Sequence, residues 1–191
     1  MPRSWFPKPY ADAVARLRVT AGFVMAAAFA WFSRPTPKSL LIGLPISAAG
    51  LALRAWAAGH LAKDQRLATS GPYSFTRNPL YLGTLTTAIG LAAAAHSLGL
   101  AILFIALFVL VYLPAIELEE QHLVEILPGY VEFALRVPRL IPRWPSQFGP
   151  DRFAAALYWK NREYQALLGW LIGAAWLIVR AILFPHLVVF S

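Results

Sequence analysis

The chain has 191 residues, of which 59% are hydrophobic and 14% charged, with a formal net charge of +8. A soluble domain carries roughly 25% charged and about 45–50% apolar residues, so the excess apolar surface here calls for lipid as its solvent. The absence of cysteine excludes thiol catalysis, disulfides and thiolate metal sites, and cations that fall between apolar runs point to anionic lipid rather than to nucleic acid.

Residues 1–15 form a basic and aromatic head, in which Trp5, Phe6 and Tyr10 beside Arg3 and Lys8 suit the membrane–water interface. Residues 17–32 are the first apolar run. They fall short of the ~20 residues a span needs, so Arg16 and Arg18 are expected to snorkel. Polar residues precede this run and no small-residue cleavage site follows it, so it reads as a retained membrane helix rather than a signal peptide. A turn with Pro35 and Pro37 leads to a second span, 39–59, with Pro45 inside it. Gly43, Ser47 and Gly50 offer a small-residue face for close helix approach. Arg54, late in this span, reads either as a snorkelling end residue or as a buried cation facing a polar site.

Residues 60–76 are a polar loop, and Asn78-Pro79 opens the third span, 80–95. The turn at His96 leads into the fourth span, 99–116, so that the two form a helical hairpin. Residues 117–136 keep helical spacing, with Leu118, Leu123, Ile126, Leu127, Tyr130 and Phe133 on one broad apolar face. This stretch either extends the fourth helix into water or lies along the surface. Residues 137–150 hold Pro138, Pro142, Pro145 and Pro150 and read as an irregular crossing segment. Residues 151–164 read as an interfacial helix, with Phe153, Leu157, Tyr158 and Trp159 against Arg152, Lys160 and Arg162. Residues 166–184 are the last span, closed by Pro185. The expected fold is an all-α integral membrane protein of about five transmembrane helices, with interfacial helices, in a single domain over 1–191.

Orientation follows from the cations. Those of the head, of the loop with Lys63, Arg66 and Arg77, and of the segment from Arg136 to Arg162 share one side. Arg34, Lys38 and Arg180 occupy the other, which puts the N-terminus in the cytoplasm. If the source is bacterial, the membrane is the inner one.

Two polar islands then face the cytoplasm. The first, Ser70-Gly-Pro-Tyr-Ser-Phe-Thr-Arg-Asn-Pro-Leu-Tyr-Leu-Gly83, runs from a turn into an apolar helix. Its plain reading is a capped helix start, with Asn78 as N-cap and Pro79 at the first position. That reading leaves unexplained Arg77 and Tyr81, one turn apart, and Gly83, which gives room beside Tyr81; together they suit an anion and purine site. The second island carries Glu117, Glu119, Glu120 and Glu125, clustered opposite a basic loop. These carboxylates suit a cationic ligand or pairing with Arg77, Arg136 or Arg54. His60, His96, His122 and His186 show no paired metal-site spacing, so no metal is expected. Glycine-rich nucleotide motifs are absent too.

Gly71-Pro-Tyr, then Arg77-Asn-Pro-Leu-Tyr-Leu-Gly83, then Glu119-Glu-Gln-His-Leu123, then Tyr130 to Pro142 with Arg136-Val-Pro-Arg139, resembles the isoprenylcysteine carboxyl methyltransferase family and the related phospholipid N-methyltransferases. The match spans residues 71–142; residues 143–191 hold an interfacial segment and the last span. The resemblance implies S-adenosylmethionine as methyl donor and a lipophilic or lipid-anchored acceptor, a carboxylate or an amine, at the cytoplasmic face. Membrane lipids are implied as surroundings, and neither nucleic acid nor metal as partner. It implies cofactor contacts from Tyr73, Arg77, Asn78, Pro79, Tyr81, Leu82, Gly83, Glu119 and Glu120, and catalytic roles for Tyr81, Glu120 and Arg136, the last steering an acidic acceptor. Asn78 stands where the family has His and so cannot titrate, and Phe133 stands where the family has Tyr. A nicotinamide-dependent membrane reductase related to sterol reductases, or a non-catalytic protein keeping the helical frame, are the alternative readings. Residues 159–164, ahead of the last span, are expected to close over the cofactor or to anchor at the interface.

Overall fold

The computed structural model describes residues 7–145 and 149–183. Arg3, Trp5 and Phe6 of the head, Phe184 and Pro185 at the end of the last span, and His186 lie outside them, as do the side chains of Lys8, Arg16 and Arg18. The described residues are helical, with no strand. The helices are α1 (Lys8–Phe32), α2 (Pro37–Ala58), α3 (Pro79–Ala94), α4 (Leu98–Leu107), α5 (Leu113–Ile126), α6 (Tyr130–Arg136), α7 (Ala155–Lys160) and α8 (Tyr164–Leu183).

Among the described residues, three helical stretches are long and apolar enough to cross a membrane: Pro37–Ala58, Leu98–Ile126 and Tyr164–Leu183. Of the other two expected spans, α3 has 16 residues, and the apolar stretch of α1 whose side chains are described is Thr20–Phe32. At 1.5 Å per residue a 16-residue helix reaches about 24 Å, against a hydrocarbon core of roughly 30 Å. The bundle nevertheless turns apolar side chains outward. Trp31, Leu41, Leu98 and Ile172 are each more than 70% exposed, which fits lipid as solvent.

α2 and α3 make the closest helix pair. Their seam is built from glycine. A Cβ on Gly43 would lie 2.3 Å from the Ala94 amide, on Gly50 2.4 Å from the Thr87 amide, and on Gly90 2.2 Å from the Ser47 amide. Gly83 belongs to the same seam, since its Cβ would meet the Gly50 carbonyl at 2.7 Å. The expected small-residue face of Gly43, Ser47 and Gly50 is therefore there. Gly83 serves helix approach and not room for Tyr81. Side-chain hydroxyls add polar ties: Ser39 Oγ donates to the Ala94 carbonyl (2.8 Å), and Trp170 of α8 donates to Ser47 Oγ (2.8 Å).

The helix from Leu98 to Ile126 is interrupted by one π-helical segment, Phe108–Tyr112. Pro114 accounts for it. Proline has no N–H for the carbonyl four residues back, Leu110, and its ring crowds that carbonyl. Tyr10 of α1 donates its hydroxyl to the Leu110 carbonyl (2.7 Å), so the freed acceptor ties α1 to this helix. The stretch expected to remain helical over 117–136 breaks after Ile126, and Gly129, at φ 80°, starts α6. The interfacial helix expected over 151–164 shortens to α7. The Ala154 amide instead donates to the Gly59 carbonyl (2.8 Å), and Arg162, at φ 55°, turns the chain into α8.

Candidate functional site

The loop between α2 and α3 is fastened at two places. At Gly71, φ is 57° and a Cβ would lie 2.5 Å from His60 Nε2, so only glycine lets the turn close against that ring. His60 is buried, and its Nδ1 lies 3.1 Å from Ser70 Oγ. The second fastening runs along residues 75–78. The Arg77 amide donates to the Pro138 carbonyl (2.9 Å) and the Arg143 amide to the Phe75 carbonyl (3.0 Å). Thr76 Oγ1 donates to the Arg139 carbonyl (3.1 Å). The proline-rich stretch after α6 is thus a strap laid along the loop, and proline suits a strand of this kind that spares its N–H groups.

Glu120 lies where loop, strap and α5 meet, and it is 6% exposed. Its Oε1 accepts from Asn78 Nδ2 (2.9 Å) and pairs with Arg77 Nη1 (3.5 Å). Its Oε2 takes both Nε and Nη2 of Arg139, each at 2.9 Å. Asn78 spends its other amide hydrogen on the Arg139 carbonyl (3.0 Å). Asn78 occupies the N-cap position of α3, yet its side chain makes no cap bond, so the plain capping reading does not hold. Position 78 needs donors here, and an amide supplies them at any pH.

Glu119 turns the opposite way. Successive residues of an α-helix point about 100° apart, and Glu119 accepts from the Tyr81 hydroxyl (2.8 Å) on the face that borders two adjoining cavities. The narrow one, of about 60 Å³, is lined by Tyr73, Arg77, Asn78, Pro79, Tyr81 and Glu119 with Tyr130 and Phe133. The wider one, of about 550 Å³, is lined by Tyr81 and Glu119 with Arg54, Lys63, Thr84, Tyr112, Asn161 and Glu163. That volume lies within the range of small-molecule sites. Two buried polar atoms on the narrow side have no hydrogen-bond partner, the Tyr73 hydroxyl and Arg77 Nε. Buried donors are seldom left so. Burial pushes the Tyr73 hydroxyl well above its ordinary pKa; Glu119 and Glu163 push it further up and Arg54 opposes them. Burial does the same to Tyr130, helped by Glu120 and opposed by Arg77.

Arg54 faces the bundle interior. Its guanidinium forms a two-point pair with Glu163, with Nη2 to Oε2 at 3.0 Å, and a further bond to Thr84. Residues 159–164 therefore contribute a wall to the wider cavity. Asn161 pins that wall by donating to the Ala58 and Leu61 carbonyls (3.0 and 2.9 Å). Leu82 borders neither cavity. Arg136 is exposed at the end of α6, where its Nε donates to the Glu132 carbonyl (3.3 Å). It lines a separate cavity of about 510 Å³ on the other side of Phe133. Tyr112 went unnoticed in the sequence. It stands edge-on to Tyr81 (6.2 Å, 77°) and stacks on Phe108 (5.9 Å, 12°), all within reach of the π segment. Leu113-Pro114 inside an apolar run was the signal for it, since such bulges gather at functional sites. Lys63 and Thr84 carried no signal of their own.

The arrangement offers a guanidinium, a carboxylate, an unspent phenol and a pair of aromatic rings around one polar cavity. It suits a ligand with both anionic and cationic groups. Among the described residues no group of three His, Cys, Asp or Glu could hold a metal ion.

No solved structure matches the chain. It is 33% identical over 133 residues to the cobalt-zinc-cadmium resistance protein CzcN of Cupriavidus metallidurans, covering 66% of this chain and 62% of that one. It is 33% identical over 116 residues to the nickel-cobalt-cadmium resistance protein NccN of Alcaligenes xylosoxydans xylosoxydans, covering 59% of this chain and 53% of that one. The chain thus spans between half and two thirds of the length of these relatives. Residues 45–128, which run from within α2 through the two polar islands to just past the end of α5, match the family model for phospholipid methyltransferases.

Proposed function

We propose that the protein transfers a methyl group from S-adenosylmethionine to a lipophilic acceptor, a carboxylate or an amine, at the cytoplasmic face of a bacterial inner membrane, with its N-terminus inside. The observation that carries this reading is the division of labour between adjacent carboxylates. Glu120 is consumed by Asn78, Arg77 and Arg139, while Glu119 stays on the cavity face beside the unpartnered Tyr73 hydroxyl and Arg77 Nε.

The donor, when bound, supplies an electrophilic methyl group on a sulfonium that also bears a carboxylate and an amine. The residues fit those groups. Arg77 is suited to the carboxylate, Glu119 to the amine or a ribose hydroxyl, and the rings of Tyr81 and Tyr112 to the positive charge. Tyr73, Asn78 and Pro79 complete the same wall, and Glu120 holds Arg77 and Asn78 in place. Leu82 and Gly83 act through the helix that carries Tyr81. A carboxylate acceptor is already a nucleophile, so catalysis reduces to alignment and exclusion of water, worth up to about 7–11 kcal/mol when reactants are well held. Arg136, on the far side of Phe133 from the cleft, steers an acidic acceptor toward this face of the membrane by its charge. Carried over to this chain, the relatives' printed roles set the reaction within tolerance of divalent metal ions.

The test is calorimetric titration of the detergent-purified protein with S-adenosylmethionine and its demethylated product, alongside Arg77→Ala and Glu119→Gln. Saturable micromolar binding, weakened at least tenfold in both variants, is expected. Absence of binding by the folded protein refutes the reading, and binding of a nicotinamide cofactor in its place transfers the site to reductase chemistry.

A further inference from the structure

The cavity of about 510 Å³ that Arg136 lines is separate from the cleft of Glu119 and Tyr81, with Phe133 as the wall between them. It has a second arginine, Arg143, and hydroxyls from Thr69 and Ser74. Neither Arg136 nor Arg143 faces a carboxylate among the described residues. The ion pairs there belong to Arg54, Arg66, Arg77 and Arg139. Arg136 spends its Nε on the Glu132 carbonyl, and Arg143 spends Nη2 on the Arg136 carbonyl (2.9 Å). The remaining guanidinium donors of both have no acceptor among the described residues. Two cations on adjoining backbone with unspent donors repel each other unless an anion joins them.

Their backbone is held in place. The strap that carries Arg143 is bonded to Phe75 through its own amide and to Arg77 through Pro138. Trp144 lines the cavity, and apolar side chains next to its arginines in sequence stand in the open. Leu135 is 83% exposed, Ile141 81% and Trp144 79%, with Trp144 held edge-on to Phe75 (5.6 Å, 84°). Such residues beside arginine mark the level of lipid headgroups, where aromatic rings settle at the interface and cations meet anionic phosphate. The guanidinium fork matches two oxygens of a phosphate at once.

We propose that this cavity is a binding site for the headgroup of an acidic phospholipid, with its phosphodiester between Arg136 and Arg143 and its glycerol end against Trp144. The site is distinct from the methyl-donor cleft, and its occupancy does not depend on that cleft's chemistry. It fixes how deep the strap and α6 ride in the membrane surface.

The experiment is native mass spectrometry of the full-length protein in neutral detergent, titrated with short-chain phosphatidylglycerol, with phosphatidylcholine, and with inorganic phosphate. One tightly retained phosphatidylglycerol per chain is expected, with phosphatidylcholine at least tenfold weaker. An arginine near a membrane surface contributes about fivefold in affinity to anionic lipid. The double variant Arg136→Gln, Arg143→Gln should therefore weaken phosphatidylglycerol about 25-fold, the double lysine variant partly restore it, and Lys38→Gln leave it unchanged. Glu119→Gln should leave lipid retention unchanged while it weakens the methyl donor, so that failure of one site is told from failure of the other. Equal retention of the two lipids by the wild-type protein overturns the proposal even if the double variant does not fold. Undiminished retention by a folded double variant does the same, and so does displacement of the lipid by millimolar inorganic phosphate, which reassigns the site to a free anion.

Discussion

Replacing Glu120 with alanine removes the group on which three segments converge. Its two oxygens accept from Asn78 Nδ2 and from Arg139 Nε and Nη2 at 2.9 Å, with Arg77 at 3.5 Å. The truncation removes the one acceptor that two guanidinium groups and an amide share. Breaking a buried pair in this way costs about 3–5 kcal/mol. The lower end applies here, because Arg139 and Arg77 keep side-chain exposures of 29% and 14% and can draw water. At roughly 2–4 °C per kcal/mol for a chain of this size, the apparent melting temperature should fall by about 6–12 °C. The neighbouring Glu119→Gln keeps an oxygen for the Tyr81 hydroxyl and should cost under ~1 kcal/mol. It should instead weaken S-adenosylmethionine by about 10- to 100-fold, the worth of a hydrogen bond to a charged group. Thermal unfolding in detergent, read by tryptophan fluorescence, and calorimetric titration measure the two quantities on the same samples. If Glu120→Ala melts within 2 °C of the wild type, or Glu119→Gln loses as much stability as Glu120→Ala, the division of roles between the two carboxylates is wrong.

The glycine seam gives a second test. Gly90→Ala places a Cβ 2.2 Å from the Ser47 amide and should destabilise by ~1–3 kcal/mol or more. Gly169→Ala in α8 meets nothing within 4 Å and should be neutral to slightly stabilising in the same melt. Tyr73→Phe removes a buried hydroxyl that has no partner, so the free protein should lose no stability. Weaker S-adenosylmethionine binding by this variant would assign the hydroxyl to the ligand, and unchanged binding would exclude it. His60 titrates below its ordinary 6.5, chiefly because burial disfavours its charged form; Arg66 acts the same way and Asp151 opposes it. The unfolded chain therefore takes up the proton first, and the stability present above pH 6.5 should be lost as pH falls through 6.5 toward the depressed folded-state value. His60→Gln should flatten that part of a pH-dependent melt, and a profile unchanged by the substitution would contradict the assignment.

Much of the frame was legible because it rests on local rules. The apolar runs, the turn at Pro35 and Pro37, the start of α3 at Pro79 and the small-residue face of α2 all follow from composition and spacing. The misread parts were decided by contacts distant in sequence. The run from Glu117 to Arg136 kept a helical period, yet Gly129 in a left-handed conformation ended it and let α6 fold back toward the loop. Residues 151–164 carried an amphipathic pattern, but Ala154 bonds the end of α2 and half of the expected helix gives way to that tie. The π segment was encoded by Pro114, although nothing in the sequence named Tyr10 as the partner of the freed carbonyl. Arg54 had two readings of equal standing, and only the position of Glu163, more than a hundred residues away, chose between them.

The sequence by itself determined that this is a helical membrane protein with two polar islands. Hydrophobic runs, prolines and glycines act on their own neighbours, and motif residues keep their order however the chain packs. The tertiary structure decided what each residue of those islands does. Glu119 and Glu120 are identical in chemistry and adjacent in sequence, and they diverge by about 100° around one helix. Only the rotation of α5 against α3 and the strap determines which of them is locked between arginines and which faces the cavity. The same holds for Asn78, whose amide looked like a helix cap and became the link between Glu120 and the Arg139 carbonyl. A side chain's partner is fixed by packing over the whole bundle, and no local pattern contains that information.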